Sequence, residues 1–287
     1  MADKKILDNI KKLREITGVG FSDCKLAITE TNGDLEKSIE YLRKKGIAKA
    51  SKKMSRIAAD GLVLVNEKDG NISAIEINSE TDFVAKNKDF VSFCKDVAEI
   101  NFKNLGDLDK LKKSKMKNDK TVEENLITLI SKIGEKITIR RSKFFNKEGK
   151  NFFYVHNSTE KNIGKVISIV KLTGQNKQDI DNVGTKLAMH IAAQSPIAIN
   201  QEGINKNILD KELEIIKEEL KNSGKKDDMI DKIASGKIKK FISENTLLDQ
   251  SWIMDTKITV KQFLKQFSKN GEIQVADFIR FKVGEGI

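Results

Sequence analysis

At Gly61 the apolar pattern of this chain changes period, and that change limits the possible folds more than any other feature. Before it, through residues 1–56, apolar side chains recur at the spacing of a helix face. After it, the run Leu62-Val63-Leu64-Val65, the turn-former Lys68-Asp69-Gly70-Asn71 and the run Ile72–Asn78 read as two strands of a hairpin. A helical module followed by strand-led units, in 287 residues, predicts an α+β class with two or three modules.

The helical module is expected to hold three short helices. Ile6, Ile10, Leu13 and Ile16 mark the inward face of the first, and Gly18 stops it. Ser22 is placed to cap the second, with Cys24, Leu26, Ala27 and Ile28, which ends near Asn32-Gly33. Asp34 caps the third, with Leu35, Ile39 and Leu42 inward, and Gly46 closes it. Lys49–Arg56 then reads as a helical or flexible linker, giving a first domain over 1–56.

Two related α+β subdomains are expected after it, over 57–145 and 146–287. The first runs from the hairpin through helices Asp89–Phe102 and Val122–Lys132, separated by a lysine-rich stretch, to a closing strand over 136–145. The second repeats the plan with strands over 152–157 and 164–172, helices over 179–194 and 260–267, and a final strand over 275–283. Gly134-Glu135-Lys136 and Gly271-Glu272-Ile273 stand just before the two closing strands. Within the second unit, about 207–245 reads as an antiparallel helical hairpin, with apolar residues at helical spacing on either side of Ser223-Gly224. So small a pair of helices buries little by itself, so it projects into solvent or packs on another chain, a homodimer included.

The net charge of +11 raises the question of nucleic acid. Residues 1–56 hold 14 Lys/Arg against 8 Asp/Glu, but the two signs alternate along helices. Only two tyrosines and one tryptophan are present to stack on bases. A solvated helix face or an acidic protein partner fits better. The reading from another class is a basic RNA- or ribosome-associated protein that uses the first module and Lys103–Lys120.

Chemistry is hard to find. There is no phosphate-binding glycine loop, so direct nucleotide binding of that kind is not expected. His156 and His190 lack ligand-spaced companions, and Cys24 and Cys94 stand apart, so neither a metal site nor a disulfide framework is implied. The opening residues lack the apolar run of a signal peptide or membrane span, which leads to the expectation of a cytosolic, reducing location. No catalytic residues and no cofactor are assigned. One stretch stands out, Glu80–Asn87. There Phe83 either turns inward to anchor a helix start or protrudes as an aromatic wedge beside the Asp82 carboxylate.

Several motifs in order resemble the elongation factor Ts family over nearly the whole chain. They are Leu13–Gly46, the Ala-Ala-Asp-Gly of 58–61, Thr81–Asn87, Leu187–Pro196 and Phe278–Ile287. The resemblance implies a ubiquitin-associated-type first domain and a two-subdomain core. It implies a non-enzymatic guanine nucleotide exchange factor for elongation factor Tu, acting in translation in the cytoplasm. Phe83, flanked by Thr81, Asp82 and Val84, would enter beside the partner's nucleotide site, disturb its magnesium and release GDP. Arg14, Gly18, Val19, Phe21 and Ser22 would face the partner from the first domain, and His156 would meet another partner domain. Read without the resemblance, Gly18 and Gly20 shape a turn, Arg14 is a solvated charge and His190 packs within its helix. Two departures stand out. Phe21-Ser22 replaces a frequent pair of methionines, and the chain stops at Ile287 where many members continue into a further helix.

Overall fold

The computed structural model describes residues 2–17, 19–53, 55–174, 177–268 and 272–287. Helices α1 (Ala2–Thr17), α2 (Phe21–Glu30) and α3 (Leu35–Lys53) close on Ile10, Leu13, Val19, Cys24, Ala27, Ile28 and Leu42. Several details differ from the expectation. Ile6, Ile16 and Leu26 are exposed, because two faces of a short amphipathic helix share similar spacing and only one is covered. Gly20, without a side-chain bond, caps α2, and Ser22 lies inside its first turn. Asp34 does accept the Lys37 amide at 3.0 Å at the start of α3.

Helix α3 runs on through Gly46 to Lys53 instead of ending. The glycine serves closeness there: a Cβ would stand 2.8 Å from Ser131 Oγ on the neighbouring helix. Arg43 with Glu124, and Lys53 with the Gly134 carbonyl, flank that contact and dock the first domain on the core. Gly18 and Gly271 lie outside the described residues.

The first core unit is β1 (Asp60–Lys68), β2 (Asn71–Ser79), α4 (Asp82–Ala85), α5 (Lys88–Lys103), α6 (Leu108–Lys113), α7 (Val122–Ile133) and β3 (Ile137–Phe145). The lysine-rich stretch thus contains a short helix, capped by Asp107 and pinned by buried Leu111. The second unit has β4 (Lys150–His156), β5 (Ile163–Gly164), β6 (Val166–Thr173) and α8 (Lys177–Gln194). After a 3-10 turn come α9 (Lys206–Asn222), α10 (Asp227–Asn245), β7 (Ser251–Trp252), β8 (Asp255–Thr259), α11 (Val260–Gln266) and β9 (Gln274–Lys282). The pair α9 and α10 forms the expected hairpin around Ile216, Leu220, Ile230 and Ala234.

The strands pair antiparallel in the orders β3-β2-β1-β5 and β4-β6-β9. In both units the closing strand pairs with the second strand of the hairpin and carries a register shift, at Glu76/Ile77 and at Lys171/Leu172. The two sheets face each other through Val63, Val65, Ile72, Ala74 and Phe145 on one side and Ile167, Ile169 and Phe281 on the other. Helices cover the outer faces, where Leu62, Leu64, Ile75 and Ile77 meet α5, and Val170 and Leu172 meet α8. A strand covered on both faces favours apolar residues at successive positions, as in the continuous apolar run 62–65. Each such side chain contributes about 1.5–3 kcal/mol on burial.

Glu76 lies in the layer between the sheets and is fully buried. Its carboxylate accepts from Arg140 at 3.0 Å, from Asn78 at 3.0 Å, from Arg141, and from the Gly284 amide at 2.9 Å. Arg140 also donates to the Glu285 carbonyl at 2.6 Å, and Arg141 to that of Lys282 at 3.1 Å. The turn after β9 is thereby fastened to the first subdomain.

Candidate protein interface

Strand β2 ends at Ser79, and the chain turns at Thr81 into the single-turn helix α4. Every polar backbone and side-chain group of Thr81 is engaged. Its amide donates to Glu135 Oε2 at 3.0 Å and its hydroxyl to Glu135 Oε1 at 2.8 Å. Its carbonyl accepts from Ser79 Oγ at 2.9 Å, and its hydroxyl oxygen receives the Val84 amide at 3.5 Å. Glu80 completes the arrangement by accepting the Lys136 amide at 2.6 Å and pairing with Arg56 at 3.3 Å.

On α4, Val84 and Ala85 are buried in the core beneath the first sheet. With that side of one turn held down, Phe83 points away from it and is 80% exposed. Of the two readings of Phe83, the structure selects the protruding one, and the inward anchor is Val84. Val84, expected beside Phe83 in the wedge, is 6% exposed. Asp82 pairs with Lys86 at 2.7 Å, and this hydrogen bond holds its carboxyl below the usual range.

In the first domain, Arg14, Phe21 and Ser22 are exposed, whereas Val19 is buried in the helical core and supports the turn. Ile16, 62% exposed, is apolar surface next to that turn. The Lys53 contact to Gly134 joins this domain to the segment whose Glu135 holds Thr81 in the loop that carries Phe83. His156 ends β4 on the other sheet and is exposed, with Tyr154 Oη 3.2 Å from its Nδ1.

His190 is fully buried. The Ile253 amide donates to its Nδ1 at 3.3 Å, so the ring proton is on Nε2, 3.0 Å from Gln250 Oε1. The ring stacks on Trp252 with centroids 5.2 Å apart. Burial, partly opposed by the Gln250 bond, lowers its pKa, so it is a core residue held neutral. Cys24 and Cys94 are buried free thiols, and burial pushes both up. Among the described residues no group of three His, Cys, Asp or Glu converges as a metal site, and no helix is long and apolar enough to cross a membrane.

The sequence model of the family described as "Elongation factor TS" matches residues 80–285, which include Phe83, Glu135 and His156. The elongation factor Ts of Rickettsia bellii is 38% identical over 284 residues, covering 97% of this chain and 92% of that protein. Those of Rickettsia akari, 40% identical over 285 residues, and Maricaulis maris, 38% identical over 285 residues, cover 97% of this chain and 91% of their own lengths. This chain belongs to the elongation factor Ts family. Elongation factor Ts membership puts it among the translation elongation factors, and the two-subdomain α+β core with its three-helix N-terminal domain is the architecture expected from the resemblance. No local sequence pattern marks the exposure of Ile16 and Ile57 or the hold of Glu135 on Thr81. Ile57, 73% exposed and adjacent to Arg56, lies in a stretch without periodicity. Glu135 was visible only as part of a repeated tag.

Proposed function

We propose that this protein is a guanine nucleotide exchange factor for elongation factor Tu, acting in the cytoplasm without covalent chemistry or a cofactor of its own. The observation that carries this reading is Phe83, an aromatic ring 80% exposed on a turn whose opposite side is buried. A large apolar side chain left in water on a rigid support gains free energy only when a partner receives it. In the proposed reaction Phe83 enters beside the partner's nucleotide site and displaces the elements that position magnesium and the phosphates, so GDP leaves. Arg14, Phe21 and Ser22 add contacts from the first domain, and His156 meets a second region of the partner.

The coupling is reciprocal: whatever ratio the factor takes from the affinity for GDP, GDP takes from the affinity for the factor. Incoming nucleotide therefore releases the factor, and no energy source is required. Stopped-flow release of fluorescent GDP from elongation factor Tu tests the proposal. The intact protein is expected to accelerate release, and Phe83→Ala to lose at least about tenfold of that acceleration, equal to about 1.4 kcal/mol. No acceleration by the intact protein would overturn the assignment and favour the RNA-binding reading.

A further inference from the structure

We propose that Glu135 is the positioning residue of the Phe83 wedge: its carboxylate sets the conformation of the turn that presents the aromatic ring, and thereby sets the rate of nucleotide release. The inference rests on the exchange-factor reading and adds a residue that has no exposed apolar surface to offer a partner.

Glu135 is 54 residues from Thr81, yet its two oxygens take both of that residue's donors, at 3.0 and 2.8 Å. A carboxylate offers only acceptors, so the Thr81 hydroxyl has to be the donor in their contact. That fixes the rotor of the hydroxyl. Its lone pairs are then left facing the first turn of α4, where the Val84 amide arrives at 3.5 Å. Glu135 thus acts through Thr81 on the start of a four-residue helix, which is too short to hold its own geometry.

The clamp is also doubled. While Glu135 reaches into the loop, Glu80 of the loop reaches back to the amide of Lys136 at 2.6 Å. Lys136 Nζ donates to the Arg56 carbonyl at 2.8 Å, and Arg56 pairs with Glu80 at 3.3 Å. Two short segments, one just after β2 and one just before β3, therefore hold each other, two residues before the exposed ring. An aromatic wedge does work on a partner only if its base resists the reaction force. An unrestrained turn would relax instead of moving the partner's packing.

The test uses the full chain carrying Glu135→Ala, Glu135→Gln, Phe83→Ala and the Glu135→Ala/Phe83→Ala pair, each titrated against elongation factor Tu loaded with fluorescent GDP. Glu135→Ala is expected to lower the release rate at saturating factor by about tenfold, while the half-saturating concentration moves less than about threefold. Glu135→Gln, which keeps one acceptor for the Thr81 hydroxyl, is expected to recover part of that loss. The double variant is expected to be no slower than Phe83→Ala alone, because both changes remove the same wedge. Amide hydrogen exchange is expected to quicken at Thr81 and Val84 in Glu135→Ala, with the amides of Ile75 and Ile77 in β2 unchanged.

Losses that add in the double variant, or a Glu135→Ala protein as fast as the wild type, would overturn the proposal. So would general loss of protection in β2 shared by Glu135→Ala and Glu135→Gln, which would mark the residue as structural only. If the intact protein fails to accelerate release, the exchange-factor reading falls and the role of Glu135 falls with it. The Thr81 amide then still reports separately whether the clamp exists.

Discussion

Glu76 shows how a single charge can serve the structure it would otherwise weaken. Burial raises its pKa, but the Gly284 amide, Asn78 and Arg141 together outweigh this and hold the carboxyl below its ordinary value. A group with a depressed folded pKa contributes stability that is fully present above its unfolded value, about 4.3, and lost as pH falls through the folded one. His190 follows the same sign for a different reason. Its burial favours the neutral ring, so its contribution is complete above about pH 6.5 and declines as the solution is acidified toward its lower folded value. Urea unfolding from pH 7 to pH 3 is therefore expected to show two descending limbs. Glu76→Gln should flatten the more acidic limb and cost about 2–3 kcal/mol at pH 7. That is below the usual loss for breaking a fully buried pair, because Arg140 and Arg141 keep partial access to water.

At the scale of helices and strands, two helical glycines give opposite expectations. In α8, a Cβ at Gly184 would overlap the Phe152 ring that β4 lays across the helix. In α10, nothing stands within 4 Å of a Cβ at Gly236. Gly236→Ala is expected to stabilise by about 0.5–1 kcal/mol through helix propensity. Gly184→Ala should destabilise by about 1–3 kcal/mol, since overpacking exceeds that gain. Thermal unfolding of both variants checks the pair. Neither role was legible in the sequence, where both glycines interrupt similar polar helices. Helix starts were clearer where a side chain does the capping, as at Asp34, than where the backbone does it, as at Gly20. Inside α3, Gly46 makes room for Ser131, 85 positions away, and no local pattern carries such a contact.

For the molecule as a whole, the hairpin at Gly61 and the repeated closing strands announced two like units, because period-two runs and turn-formers are local signals. Their stacking was not announced. It shows only in Val63, Val65 and Phe145 being as apolar as their helix-facing neighbours, a feature that a single sheet would also tolerate. The candidate surface was legible to the same degree. An aromatic in a polar loop could be noticed, but its exposure follows from Val84 and Ala85 being taken by the core, and its support comes from Glu135. The two units also depend on each other energetically. Residues 1–145 expressed alone are expected to self-associate or bind an apolar dye, as light scattering or dye fluorescence would show, since the sheet face made by Val63, Ile72 and Phe145 has lost its cover.

That dependence gives synthesis of the chain a direction. As the polypeptide emerges from the ribosome, β1, β2 and β3 of the first sheet are made before β5 and β6 and long before β9, and Glu76 waits for Gly284, 208 residues further on. A translation factor built this way is itself exposed to the hazards of slow translation, for every pause in its second half lengthens the time an apolar sheet waits in water.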